Sequence, residues 1–128
     1  MNNSEPTKFS EKLKKWRIPP GIKKAASLIA DKKGEDISIL KLKGISDITD
    51  FMIICNGNSV IQNRAISSEI QKTLKKELNL KPLGVEGVNF GDWILIDYVD
   101  FIVHIFSRET RGKFSLEKLW MDAKRYDL

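Results

Sequence analysis

Gly91-Asp92-Trp93-Ile94-Leu95-Ile96-Asp97-Tyr98-Val99-Asp100-Phe101-Ile102-Val103-His104-Ile105-Phe106-Ser107 is the stretch that decides how this chain folds. Two runs rich in β-branched and aromatic residues, 92–97 and 100–106, flank the dipeptide Tyr98-Val99, which is the pattern of a β-hairpin. A two-residue turn pairing Asp97 with Asp100 predicts Leu95 opposite Ile102 and Trp93 opposite His104, because side chains alternate with period two. One face then carries Ile94, Ile96, Phe101, Val103 and Ile105, a composition suited to a core. The other carries Trp93, Leu95, Asp97, Ile102, His104 and Phe106, where large amphipathic groups stand among aliphatics as they do at the centre of contact surfaces. That second face needs a cover, either from this chain or from a partner.

Upstream of the hairpin, Ile22, Ala25, Ala26, Ile29 and Ala30 mark the buried stripe of a helix over 22–33, with Gly34 just past its end. Residues 36–42 read as a strand. Phe51-Met-Ile-Ile-Cys55 reads as a second strand, apolar without alternation and therefore covered on both faces. Asn56-Gly57-Asn58-Ser59 turns the chain into a long helix reaching about Leu78, capped by Asn58 or Ser59, with Ile61, Ala65, Ile66, Ile70, Leu74 and Leu78 on its apolar face. Residues 83–86 form a short strand. Downstream, 108–114 reads as an irregular or helical turn and 115–121 as a last short helix capped by Ser115. Crossovers mixed with hairpins predict an α/β fold, a mixed β-sheet with packed helices.

The chain is long enough for one well-stabilised domain and too short for two. Its formal charge of +5 is unevenly placed. Residues 1–33 hold nine Lys or Arg against three acids, whereas 34–128 are slightly acidic. We therefore divide the chain into a basic, flexible extension over 1–20 and a single domain over 21–128. Phe9, Leu13 and Trp16 recur at helical spacing among the lysines until Pro19-Pro20 stops the helix. Contact with nucleic acid is expected, if anywhere, through this extension, since phosphate neutralisation needs clustered positive charge. No apolar run is long enough to span a bilayer and no leader pattern opens the chain, which predicts a soluble, cytoplasmic protein without membrane contact.

Catalytic signals are sparse. One cysteine, Cys55, and one histidine, His104, leave no multi-cysteine or His-based metal site, and Cys55 ends an apolar run as an inert strand thiol does. The Gly57-Asn58-Ser59 turn at a helix start is the best candidate for phosphate binding, and a nucleotide-acting enzyme is the alternative reading. Such an enzyme needs closely spaced carboxylates for divalent ions, and the nearest downstream pair, Asp97 and Asp100, spans a turn instead. His104 has an aromatic rather than an acidic partner across the hairpin. We therefore expect no catalytic residue, no metal and no cofactor.

Several motifs in order, Leu42-Lys-Gly44, Thr49-Asp-Phe51, Gly57-Asn-Ser59, Arg64-Ala-Ile66, Glu86-Gly87, Asp92-Trp93, Asp97-Tyr98, Val103-His-Ile-Phe106 and Leu116-Glu117, resemble the ribosomal silencing factor (Iojap-like) family over nearly all of 22–121. The resemblance implies a nucleotidyltransferase-like fold that lacks the transferase carboxylates. It also implies a non-enzymatic translation repressor that binds protein uL14 of the large ribosomal subunit and blocks association with the small subunit. Some members assist large-subunit maturation or form homodimers off the ribosome. On this basis the partner-binding residues are Trp93, Leu95, His104 and Phe106, with Asp97 and Tyr98 at the rim and the segment around Phe114 nearby. Val99 stands where the family usually has Gly, so a tight two-residue turn conflicts with a β-branched residue there.

Overall fold

A computed structural model describes residues 8–128; the first seven residues of the extension expected to be flexible lie outside that range. In chain order the elements are α1 (Lys8–Lys15), α2 (Pro20–Asp31), β1 (Glu35–Lys41), β2 (Phe51–Gly57), α3 (Val60–Leu78), β3 (Gly84–Glu86), β4 (Trp93–Asp97), β5 (Phe101–Ser107), α4 (Arg108–Phe114), α5 (Leu116–Leu119) and β6 (Lys124–Asp127). The six strands form one mixed sheet in the order β3-β4-β5-β2-β1-β6. Only β2 and β5 run parallel, and α3 lies on the chain between them, as a parallel crossover requires.

The central position of β2 explains its unbroken apolar run: every residue from Phe51 to Gly57 is buried. Helices α2 and α3 cover one face, packing Ile22, Ala25, Ala26, Ile29, Ile66, Ile70 and Leu74 against the inward side chains of the sheet. Cys55 lies in this core, where burial pushes its thiol up to about 12, in keeping with a strand filler. On the other face a smaller cluster of Leu40, Leu42, Met52, Ile54 and Phe106 is partly roofed by Leu116 and Trp120.

The hairpin forms with its faces as read, but its register differs. Trp93 pairs with Phe106, Leu95 with His104 and Asp97 with Ile102, two residues away from the expected alignment. The turn is displaced by one residue rather than centred on Tyr98-Val99: Tyr98 N–H donates to Phe101 O at 2.9 Å, which leaves Val99 and Asp100 at the tip, and Val99 takes φ 73°, the left-handed region. Two hydrogen bonds hold Val99 there: its N–H donates to Asp97 Oδ1 at 2.7 Å, and its carbonyl accepts from the Thr49 hydroxyl at 2.9 Å. A shift of two preserves side-chain parity, so the face assignment survives.

Other boundaries move for local reasons. Helix α2 starts at Pro20, which is pre-set for the first helical position, and its left-handed exit is Lys33 (φ 67°) rather than Gly34. Helix α3 is capped by Ser59, whose hydroxyl accepts from Gln62 N–H at 3.0 Å. Its buried stripe includes Asn63, Ser67 and Thr73 but not Ile61, Ala65 or Leu78, which face solvent. Ser115 is no N-cap, because its side chain turns back to Gly112 O at 2.8 Å. Strand β6 was not foreseen; it joins the edge of β1 through a pairing in which only Tyr126 is buried. Before the expected boundary at residue 20, Leu13 and Ile18 are buried and Trp16 packs on Tyr126 with ring centroids 4.7 Å apart.

Candidate functional site

The sheet face away from α2 and α3 builds an aromatic surface from β4 and β5. Trp93 is its centre: its ring lies 4.9 Å from Phe106 and 4.6 Å from Phe114, centroid to centroid. The indole N–H donates to His104 Nδ1 at 3.0 Å. That bond fixes the imidazole as the neutral tautomer with its proton on Nε2, and Nε2 is buried without a partner. Burial also pushes the His104 pKa down to about 4. His104 is therefore an uncharged, aromatic component of the surface at neutral pH, and it has no carboxylate beside it to serve as the second member of a general-base pair.

Of the residues singled out in the sequence, Trp93, Leu95 and Asp97 are half-buried and within reach of a partner. His104 and Phe106, 4 % and 1 % exposed, lie beneath and shape the surface from below. Tyr98 does not join them. It sits on the helix side of the sheet, stacked on Phe101 at 4.9 Å, because alternation turns the neighbour of Asp97 to the opposite face. The segment around Phe114 does belong, since α4 sets Phe114 on Trp93 while leaving it 54 % exposed.

Helix α4 is held in place by Arg111, a residue that sequence reasoning missed. Its guanidinium donates to Glu117 Oε2 at 2.7 and 3.0 Å, to Asn56 Oδ1 at 2.9 Å and to the carbonyl of Asp36. Burial works to raise the Glu117 carboxyl, but the hydrogen bond to Arg111 and the charges around it hold it below the usual carboxylate range. The fork of a guanidinium can serve several acceptors at once, so Arg111 ties the ends of β1 and β2 to the α4–α5 segment. Further exposed apolar groups, Phe90, Leu119 and Met121, also escaped the reading. Phe90 stands in the loop Gly87-Val-Asn-Phe-Gly91, and an aromatic between glycines was the available signal.

The Gly57-Ser59 turn is already filled. Gln62 folds back so that its side-chain oxygen accepts from Asn58 N–H, while its amide donates to Lys32 O at 2.9 Å. The Ser59 hydroxyl is occupied by the cap of α3. A phosphate would have to displace both groups. Among the described residues there is no cluster of three His, Cys, Asp or Glu able to hold a metal ion, and no helix long and apolar enough to cross a membrane.

Comparison with known proteins agrees with the motif reading. The family model described as "Ribosomal silencing factor during starvation" matches residues 16–128. The chain is 42 % identical to a ribosomal silencing factor of Halalkalibacterium halodurans over 105 residues, covering 81 % of this chain and 88 % of the relative. It is 41 % identical to that of Bacillus subtilis over 107 residues, covering 84 % and 90 %. A crystal structure of a Chromobacterium violaceum protein superposes with a TM-score of 0.76 at 31 % identity, over 82 % of this chain and 87 % of that one.

Proposed function

This chain belongs to the ribosomal silencing factor family, and from that premise we propose that it binds protein uL14 of the large ribosomal subunit and represses translation by occupying the surface on which the small subunit docks. The supporting observation is the Trp93 surface: a large aromatic packed on Phe106 and Phe114, half-open to solvent and rimmed by Leu95 and Asp97. Rigid, partly exposed aromatics of this kind dominate binding energy at protein interfaces. Trp93, Leu95 and Asp97 make the contact in this reading, His104 and Phe106 support them, and Tyr98 holds the turn from behind. The slightly acidic region 34–128 suits a basic ribosomal protein, because complementary charge speeds encounter.

The mechanism is steric and consumes no nucleotide, so the protein is not an enzyme, works in the cytoplasm and needs no cofactor. Residues 21–128 form the binding domain. The extension before it docks through Leu13 and Ile18 and supplies whatever contact is made with nucleic acid. Off the ribosome, the same aromatic surface is the natural site for a homodimer, since a self-complementary apolar patch buries itself against its own copy.

Purified subunits analysed on sucrose gradients test the proposal. Added protein should lower the yield of joined ribosomes in proportion to its occupancy of the large subunit, with or without nucleotide, and excess small subunits should compete. Trp93→Ala should abolish binding and inhibition together. Unchanged joining at saturating protein, or inhibition that requires nucleotide hydrolysis, would refute it.

A further inference from the structure

Charge in this protein is divided between its helix layer and the rest of the domain. Residues 11–33 and 60–81, which hold α1, α2 and α3, carry thirteen Lys or Arg against four acids. The strands and the segments around them, 34–59 and 82–128, carry eight against twelve. Counted along the chain, the lysines at the end of α3 are lost among the acids that follow them. In the fold α3 packs beside α2, and α1 enters the same core through Leu13, so the cations of three helices come to one side of the sheet. The Trp93 surface lies on the other side.

The three helices meet at a groove of about 380 Å³. Leu13 and Lys14 of α1, Lys23 and Lys24 of α2, and Glu77 and Leu78 of α3 line it. The acids of α3 are already engaged: Glu77 pairs with Lys24 at 2.9 Å and Glu69 with Lys32 at 3.8 Å, which stitches α3 to α2. The Glu69 carboxyl is held below the usual carboxylate range by the Thr73 hydroxyl and by the charges of Lys32 and Lys72, which places Lys72 at the same seam. Lys76 stands one turn further along α3. Lys14, Lys23, Lys72 and Lys76 form no ion pair with a described residue. Their charge is therefore open to an outside partner.

We propose that this face binds the phosphate backbone of an RNA duplex, leaving the Trp93 surface free for its protein partner. The choice of RNA rests on the ribosomal reading above, and the nucleic-acid contact is carried from the extension onto α2 and α3. A duplex presents about one charge per 1.7 Å of axis, a dense line of phosphates for lysines spread over three helices to neutralise. An anionic membrane fits less well, because helices that lie on a bilayer bury an apolar face in it. Among the described residues of α1, α2 and the second half of α3, Leu78 is the one exposed large apolar side chain, at 39 %. The same lack of apolar anchors disfavours an acidic protein, whose contact would need them at its centre.

Fluorescence anisotropy of the full chain with a labelled RNA duplex of about 20 base pairs, long enough for a domain-sized footprint, provides the test. It is run across a range of salt, beside a DNA duplex of the same length and vesicles of phosphatidylcholine with phosphatidylglycerol. Neutralising about four phosphates gives log affinity a slope of about −3.6 against log salt, so a fourfold rise in salt should weaken binding by about 150-fold. The double variant Lys72→Gln Lys76→Gln changes two exposed side chains, so it should fold, bind more weakly and flatten the slope by about 2. Lys14→Gln with Lys23→Gln should do the same, while Trp93→Ala should bind the duplex as the parent does. The proposal is overturned if the duplex fails to bind at about 100 μM protein and physiological salt, the weak end of ordinary non-specific affinity. It is equally overturned if either double variant keeps the parent affinity and slope, if folded Trp93→Ala loses the duplex, or if DNA or the vesicles bind more tightly than RNA. None of these measurements contains uL14, so the reading of the Trp93 surface stands or falls separately, in the subunit-joining assay.

Discussion

Acidification should destabilise this protein in a window set by one residue. His104 is the only histidine in the chain, and burial holds its pKa at about 4 against 6.5 for the free side chain. A histidine whose folded value is depressed stabilises the fold fully above the unfolded value, and that stability is lost as pH falls, because the unfolded chain takes up the proton that the folded one refuses. Between pH 6.5 and 4 the stability should therefore drop by up to 1.36 kcal/mol per pH unit, reaching a loss of about 2 kcal/mol at pH 5 relative to pH 7.5. Glu117 and Asp127, held below the usual carboxylate range, begin to lose their contributions only as pH falls towards their unfolded values of 4.5 and 3.8, and so leave the span above pH 5 to His104. Urea unfolding of the parent and of His104→Phe at several pH values isolates the effect: the parent curve should fall and the difference between the two should shrink or reverse towards pH 5. The single imidazole resonance gives an independent reading by NMR. A titration midpoint near 6.5 in the folded protein, or parallel stability curves for parent and variant, would refute the reasoning and mean that Nε2 reaches water or an acceptor.

Two further outcomes separate packing from contact. Ile105→Ala, in the core face of β5, should lower stability by about 2–5 kcal/mol, while Trp93→Ala should cost less in denaturant unfolding of the monomer but abolish partner binding; the reverse order would exchange the two faces. Deleting residues 1–20 should leave a domain that folds and binds its partner but melts earlier, since it loses the buried Leu13 and Ile18, each worth roughly 1.5–3 kcal/mol; an unfolded truncation would make α1 integral to the domain.

The hairpin was legible because its two faces differ in chemistry, and a sheet's parity survives an error of two residues. Its register was not legible. The turn depends on Val99 in a left-handed conformation that hydrogen bonds to Asp97 and from Thr49 impose, and Thr49 lies fifty positions away. Helix α3 misled by composition. Ile61 and Ala65 look like core, yet the helix rotates to bury Asn63, whose amide donates to Gly91 O at 2.8 Å and ties the helix to the loop before β4, even though its Oδ1 is buried without a partner. Strand β6, Lys124-Arg-Tyr-Asp127, offers one apolar side chain and is a strand only because the open edge of β1 supplies its partners. The aromatic surface was half visible: Trp93 and His104 declare themselves on one strand pair, but the roof of α4 rests on Arg111, whose acceptors come from three separate elements.

The tilted contact of Trp16 with Tyr126 joins segments separated by nearly the whole chain. During synthesis Trp16 emerges long before the residue it packs against, so the basic helix α1 has no complete berth until β6 has paired with β1. Contacts of such long sequence separation are slow to form, because the intervening chain must be ordered first. Until then the lysines of α1 travel with an unanchored segment on a nascent chain surrounded by ribosomal RNA, and the closing of the sheet edge is the event that retires them to a fixed position on the finished domain.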